Sequence, residues 1–274
     1  MRRAIPFLAP LLVVGCVSSP SEPAPVTEVV TSTAQPEPPV VTDLQPLIDA
    51  AVATHGGTAG VAVSDGADTL VAGDAGGHVA WSTIKVPIAV AALRADPALA
   101  PVAGAAIRSS DNAAAETLWA SLGPPEAAAD ATESVVAETG VVIDVTETVT
   151  RPGFSSFGQT PWTVSDQAVF AAGLGCVAGA DAVLTDMAWV DPDQRYGLGQ
   201  FPGARFKGGW GPDPDGGYTV RQFGLIPTDH GEVGVALWVK PASASYLGAQ
   251  AMATQLASDL GERLAGMPAT ACDR

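Results

Sequence analysis

Ser82 and Lys85 stand three residues apart at the head of an apolar run, Val86-Pro87-Ile88-Ala89-Val90-Ala91-Ala92-Leu93. On a helix that spacing brings both side chains to one face. A serine hydroxyl is a weak nucleophile until a base sits beside it. A lysine becomes such a base only when burial or neighbouring cations lower its pKa. The pair is a candidate nucleophile and base for acyl transfer. An N-capping serine followed by a lysine that reaches solvent would leave the same trace, so the rest of the chain has to decide.

Two further segments bear on that choice. Ser110-Asp111-Asn112 stands where a helix begins. By itself it is a good capping cluster, but a second hydroxyl beside a Ser–Lys pair can relay a proton, and an asparagine amide can meet a substrate peptide group. Lys207-Gly208-Gly209-Trp210 ends a strand pattern ahead of a Gly- and Pro-rich loop. Glycines there let another backbone approach the strand, and the lysine supplies positive potential. Only three lysines, Lys85, Lys207 and Lys240, occur in the 274 residues, so two of the three fall inside these segments.

The elements that must position them read as follows. Leu44, Leu47, Ile48, Ala51 and Val52 mark one face of a helix capped by Thr42 or Asp43 and stopped at Gly56. Gly60–Val63 and Thr69–Ala72, joined through Ser64-Asp65-Gly66, read as a hairpin. Residues 97–190 read as mostly helical, with Asp111 or Asn112 capping one helix and Thr163 with Asp166 forming a capping box for another. Strand signals return at Arg205–Lys207, Tyr218–Ile226 and Val233–Val239, before a closing helix from about Ser243 to Leu264. A sheet assembled from both ends of the chain then encloses a helical middle.

S-x-x-K, S-D-N and K-G-G, in this order at positions 82, 110 and 207, resemble the motif triplet of the penicillin-recognising serine enzymes, which include the class A β-lactamases and the D,D-peptidases. The resemblance spans about residues 42 to 265. It implies an α/β (α+β) domain of the β-lactamase/transpeptidase type, with an antiparallel sheet flanked by helices plus an all-helical subdomain. It also implies roles: Ser82 as acylated nucleophile, Lys85 as its base, Ser110 as proton relay, Asn112 as contact to the substrate amide, and Lys207 as orienting and carboxylate-binding cation. The backbone N–H of Ser82 and one near Gly209 would form the oxyanion hole. Arg221 on the next strand is a candidate carboxylate anchor, or an ordinary surface arginine. Trp81 and Trp210 flank the site in sequence and suit either substrate stacking or core packing. The implied partner is a β-lactam or a peptidoglycan-derived D-alanyl peptide, without cofactor.

Three departures qualify the resemblance. Gly208 replaces the usual Thr or Ser, removing a hydroxyl that helps hold a substrate carboxylate. Ser110 follows Ser82 by only 28 positions, which implies a shortened helical subdomain. No E-x-x-L-N segment is present; Glu147, ahead of Thr163, is the candidate for holding a hydrolytic water. Without such a base an acyl-enzyme is slow to hydrolyse, and a catalytically weak descendant that binds cell-wall peptide or a protein partner is the competing expectation. A Ser-His-Asp site fares worse: there is no G-x-S-x-G elbow, and His55, His78 and His230 read as solvent-facing loop residues.

The net charge of −16 excludes nucleic acid as a natural partner and offers nothing to anionic lipid. Residues 1–15 form a short signal segment, and Val13-Val14-Gly15-Cys16 resembles the bacterial lipobox, implying lipid attachment at Cys16 and a position on the outer face of a membrane. Residues 16–41, rich in Ser, Pro, Thr and Glu, read as a disordered tether to a domain at 42–274. Cys176 and Cys272 then remain, either as a disulfide closing a loop of about 100 residues, nominally about 4–5 kcal/mol, or as two thiols. No Cys or His spacing suggests a metal.

Overall fold

The computed structural model describes residues 43–264 together with Met267, Ala269 and Thr270. The signal segment, Cys16, the tether, Thr42 and Cys272 lie outside the described residues.

The first helix, α1 (Gln45–His55), buries Leu47, Ile48 and Ala51. Asp43 Oδ1 accepts the Gln45 N–H at 2.8 Å, and Gly56, at φ 64°, ends the helix in a conformation that favours glycine. Strands β1 (Thr58–Ser64) and β2 (Thr69–Gly73) form the expected hairpin, in register from Gly60 opposite Gly73 to Ser64 opposite Thr69. The two-residue strand β3 (His78–Val79) then leads into the Ser82 segment and helix α2 (Lys85–Ala95). Helices α3 (Ala100–Arg108), α4 (Asn112–Ser121) and α5 (Pro125–Ala137) follow. A second short strand, β4 (Pro161–Trp162), pairs with β3, and helices α6 (Val164–Gly173) and α7 (Asp181–Met187) complete the helical part. The chain closes with β5 (Arg205–Pro212), β6 (Tyr218–Thr228), β7 (Gly231–Lys240) and α8 (Tyr246–Leu264).

The main sheet runs β2-β1-β7-β6-β5 and is antiparallel throughout. Its alternating residues feed two cores, as the two-residue period of a strand requires. Val61, Phe206, Val220, Val235, Leu237 and Val239 pack under α1 and α8. Ala62, Phe223, Leu225, Ala236 and Trp238 face α6 and the helical part. Helix α2 is buried on every side from Lys85 to Leu93, as an all-apolar helix demands, with α3, α4 and α5 packed around it.

The expected caps form. Asp111 Oδ1 accepts the Ala114 N–H at 2.8 Å at the head of α4, and Thr163 Oγ1 accepts the Asp166 N–H at 3.0 Å at the head of α6. The stretch from 97 to 190 is less helical than its composition suggests. Between α5 and β4 the chain is irregular apart from one 3₁₀ turn, Phe157–Gln159. Its β-branched run from Val141 to Val145, and Gly140, Pro152 and Gly153, lack the helix preference of the alanine-rich segments before it. Among the described residues no helix is long and apolar enough to cross a membrane.

Candidate active site

Ser82 lies in a 3₁₀ turn, Trp81–Ile84, that runs directly into α2, and the Lys85 N–H closes onto the Ser82 carbonyl. The turn starts from Trp81 at φ 49°, a left-handed conformation that costs a bulky residue about 1–3 kcal/mol. Tertiary contacts hold it there. The Trp81 indole N–H donates to Thr219 Oγ1 at 3.0 Å, and Phe154 meets the ring edge-on at 5.5 Å. Trp81 therefore serves packing first, and only its margin borders the cleft. A second left-handed residue, Ser110 at φ 57°, turns the chain just ahead of α4.

The three sequence segments converge. Lys85 is 2% exposed, and its Nζ donates to Asn112 Oδ1 at 2.7 Å, to the Ser110 carbonyl at 2.6 Å and to the Asp111 carbonyl at 3.2 Å. Lys207 Nζ, fully buried, donates to Ser110 Oγ at 2.8 Å and to the Gly208 carbonyl at 2.8 Å. Ser110 Oγ thus lies between two amines, 2.8 Å from one and 3.5 Å from the other. Burial pulls Lys85 down to about 8, partly opposed by the Asp111 and Glu116 carboxylates. Burial, and the neighbouring Lys85, push Lys207 well below the usual lysine range. Both effects favour neutral amines, the form that can accept a proton. Ser82 is partly exposed, and its hydroxyl forms no hydrogen bond among the described residues.

Strand β5 is the free edge of the sheet on this side, and its glycines are not equivalent. A Cβ on Gly209 would come within 2.7 Å of the Ser82 backbone nitrogen and 2.8 Å of Trp81 Cβ. The strand approaches Ser82 as closely as backbone allows. A Cβ on Gly208 would meet only ordinary contacts, the nearest at 3.8 Å. We predict that Gly209→Ala displaces β5 from Ser82 and lowers any Ser82-dependent activity by about 10²-fold, the effect of roughly 1 Å of misplacement. Gly208→Ala should fold and react within a few-fold of wild type. Paired acylation kinetics on the two variants test this directly.

Ser82, Lys85, Asn112 and Trp210 line a cleft of about 550 Å³. Trp210 also packs against Tyr246, with ring centroids 5.4 Å apart, so it joins the cleft wall to the α8 core. The opposite wall comes from residues 153–159, a segment that no motif or periodicity marks for the site. Within it Gln159 is 8% exposed, and its side-chain Nε2 has no hydrogen-bond partner among the described residues. Glu116, one turn beyond Asn112 on α4, lines the same cleft. The i, i+4 spacing from Asn112 is the sequence signal that could have found it.

Two expected residues are elsewhere. Glu147 lines a separate cavity of about 410 Å³ with Glu126, Asp130, Glu133 and Asp144; its position before Thr163 in sequence does not carry it to Ser82. Arg221 is neither at the surface nor a substrate anchor. It is fully buried, and its guanidinium donates to the carbonyls of His78, Val79 and Trp162 and to Gln167 Oε1 at 2.6–3.0 Å. Burial lowers it to about 9, so it stays charged at neutral pH. His230 is an exposed turn residue, as expected, but the other two histidines are not plain loop residues: His78 bonds Asp74 at 3.0 Å and stacks on Trp238 at 3.7 Å, and His55 meets Gln255 Oε1 at 3.0 Å. None of the three histidines lines the cleft. Among the described residues no group of three or more His, Cys, Asp or Glu side chains is arranged to hold a metal ion.

No protein-family model matches the chain, and no curated protein matches its sequence. Solved structures do. A class A β-lactamase from Bacteroides cellulosilyticus superposes with a TM-score of 0.67 at 15% identity, over 81% of this chain and 96% of that one. The extended-spectrum β-lactamase TLA-3 gives 0.66 at 14% identity, over 81% and 98%. A β-lactamase from Sphaerobacter thermophilus gives 0.61 at 23% identity, over 80% and 95%. At these identities the likeness establishes architecture: the chain has the β-lactamase-like fold, an antiparallel sheet flanked by helices.

Proposed function

We propose that this protein is a serine acyl-transfer hydrolase that opens β-lactam or D-alanyl cell-wall peptide amides through an acyl-Ser82 intermediate. The observation that carries the reading is Ser110 Oγ held between the amines of Lys85 and Lys207, in the cleft lined by Ser82 and Asn112. In this reading neutral Lys85 takes the proton as Ser82 Oγ attacks the carbonyl carbon. Ser110 passes a proton to the leaving nitrogen, and Asn112 and Gln159 bind the substrate's amide oxygens. The Ser82 N–H and an N–H of β5 near Gly209 stabilise the oxyanion. Intact-protein mass spectrometry with a fluorescent penicillin tests it: an adduct mapped to Ser82 supports the reading, and no adduct with any of several β-lactams, together with no hydrolysis of them or of a D-alanyl-D-alanine peptide, overturns it.

The pH dependence follows from Lys85. Its amine form grows as pH rises through its folded pKa of about 8. Acylation should therefore accelerate from about pH 6, reach half its limit near pH 8 and level off above about pH 9. A profile that falls over that range would remove Lys85 as the base.

A second reading, a binding protein of little turnover, is favoured by the unbonded Ser82 hydroxyl and by the sequestration of Arg221. Slow or absent deacylation with retained peptide binding would select it. We further propose lipid attachment at Cys16, placing the domain on the outer face of a membrane, and a Cys176–Cys272 disulfide. Loss of detergent-phase partitioning in Cys16→Ser tests the anchor, and a 2 Da mass gain on reduction tests the bridge.

A further inference from the structure

Hydrolysis of an acyl-serine needs a base for water, and the cleft holds one side chain suited to it. We infer that Glu116 of α4 is the general base that delivers water to the acyl-Ser82 carbonyl, an inference that rests on the acyl-Ser82 reading above. Among the described residues that line the cleft, Glu116 is the only one with an acidic side chain. It stands one helical turn from Asn112, on the same face of α4. That face is turned to the nucleophile, because Asn112 Oδ1 lies 2.7 Å from Lys85 Nζ. The other acids are committed elsewhere: Asp111 caps α4 through the Ala114 N–H, and Glu147 borders a different cavity.

The surroundings suit a base. Partial burial raises the Glu116 pKa from its ordinary value, and the charge of Lys85 opposes that rise. Lys85 on α2 is the one other titratable group in the cleft lining; the 153–159 wall supplies none, and β5 supplies only Trp210. A carboxylate raised above its ordinary range is the stronger proton acceptor in its ionised form.

The step balances without an added reactant. A water oxygen adds to the ester carbonyl carbon while Glu116 takes one water proton. The tetrahedral oxyanion then collapses, the bond between carbonyl carbon and Ser82 Oγ breaks, and the Glu116 acid returns its proton to that oxygen. Free Ser82 and a product carboxylic acid result, the latter ionising to solvent.

The test is acyl-enzyme kinetics with a fluorescent penicillin, acid-quenched and read by intact mass, on wild type and Glu116→Gln. The variant is isosteric on an exposed helical position, and its acylation rate reports that the site is assembled. Expected are acylation within a few-fold of wild type, deacylation slower by about 10²-fold or more, and a persistent adduct on Ser82. Wild-type deacylation should slow on acidification as Glu116 gains its proton, and the variant should lose that dependence. Hydroxylamine, a nucleophile that needs no base, should clear the adduct from the variant. Equal deacylation in both proteins, an adduct that wild type itself does not release, or an adduct on the variant that hydroxylamine does not clear, overturns the role of Glu116 and leaves Ser82 acylation standing. No adduct and no turnover in wild type takes down both.

Discussion

A Ser82→Ala variant is expected to carry no covalent adduct after incubation with a penicillin, and to lose hydrolysis by a factor on the order of 10⁴ to 10⁶. The size follows from the division of labour. Without the hydroxyl there is no acyl-enzyme, and the remaining donors can only polarise a bound carbonyl toward bulk water. The loss should be purely chemical. Ser82 Oγ forms no hydrogen bond among the described residues and is partly exposed, so its removal should shift stability by no more than about 0.5 kcal/mol. Lys85 stays in place on its three acceptors. Thermal unfolding alongside mass spectrometry separates the outcomes, and an adduct of undiminished yield on the alanine variant would show that Ser82 is not the acylated residue.

The largest expected effect on stability comes from Arg221→Ala. The guanidinium joins β6 to the β3–β4 pair and to α6 through three backbone carbonyls and Gln167. Hydrogen bonds from a charged donor are worth about 1.5–3 kcal/mol each, and each acceptor left buried and unmet carries its own cost. The losses are not additive, and breaking a buried charged network typically destabilises by about 3–5 kcal/mol. Urea unfolding should register a shift of that order. Arg221→Lys should recover only part of it, because three donors on a flexible stem cannot reproduce the planar fork. A shift below about 1 kcal/mol for the alanine variant would mean that water replaces the guanidinium freely. Since Val79 leads directly into Ala80 and Trp81, the same change should loosen the turn that carries Ser82 and lower any Ser82-dependent activity as well.

The comparison of Arg221 with Lys207 shows what was legible in the sequence. Lys207 could be read because its neighbours in sequence, Gly208 and Gly209, share its task, and because lysine is scarce in this chain. Arg221 donates to residues far away along the chain, from His78 to Gln167, and no local pattern announces a buried arginine among backbone carbonyls. The hairpin, the caps at Asp111 and Thr163 and the three late strands were legible because each has a short-range cause: a turn, a side-chain acceptor, an alternation. The wall at 153–159 was not, since a loop's course depends on what it packs against. Glu147 was placed by its distance from Thr163 along the chain, a one-dimensional argument that the fold did not honour. Glu116 was within reach of helical periodicity once Asn112 was fixed as a site residue.

The pairing of β1 with β7, in register from Thr58 opposite Lys240 to Ser64 opposite Gly234, also sets when the sheet can close. The first half of the site is made early, on the ribosome's schedule, but β1 finds its inner neighbour only after the last strand has been synthesised. Contacts of such long sequence separation form slowly. Until they do, the sheet has no β7 to join β1 to β6 and to β5, the strand that carries Lys207 to Ser110. A nascent chain stopped before Gly231 already carries Ser82, Lys85 and Lys207 but lacks the strand that joins β1 to β6, so the sheet that sets β5 against Ser82 closes only once β7 is added.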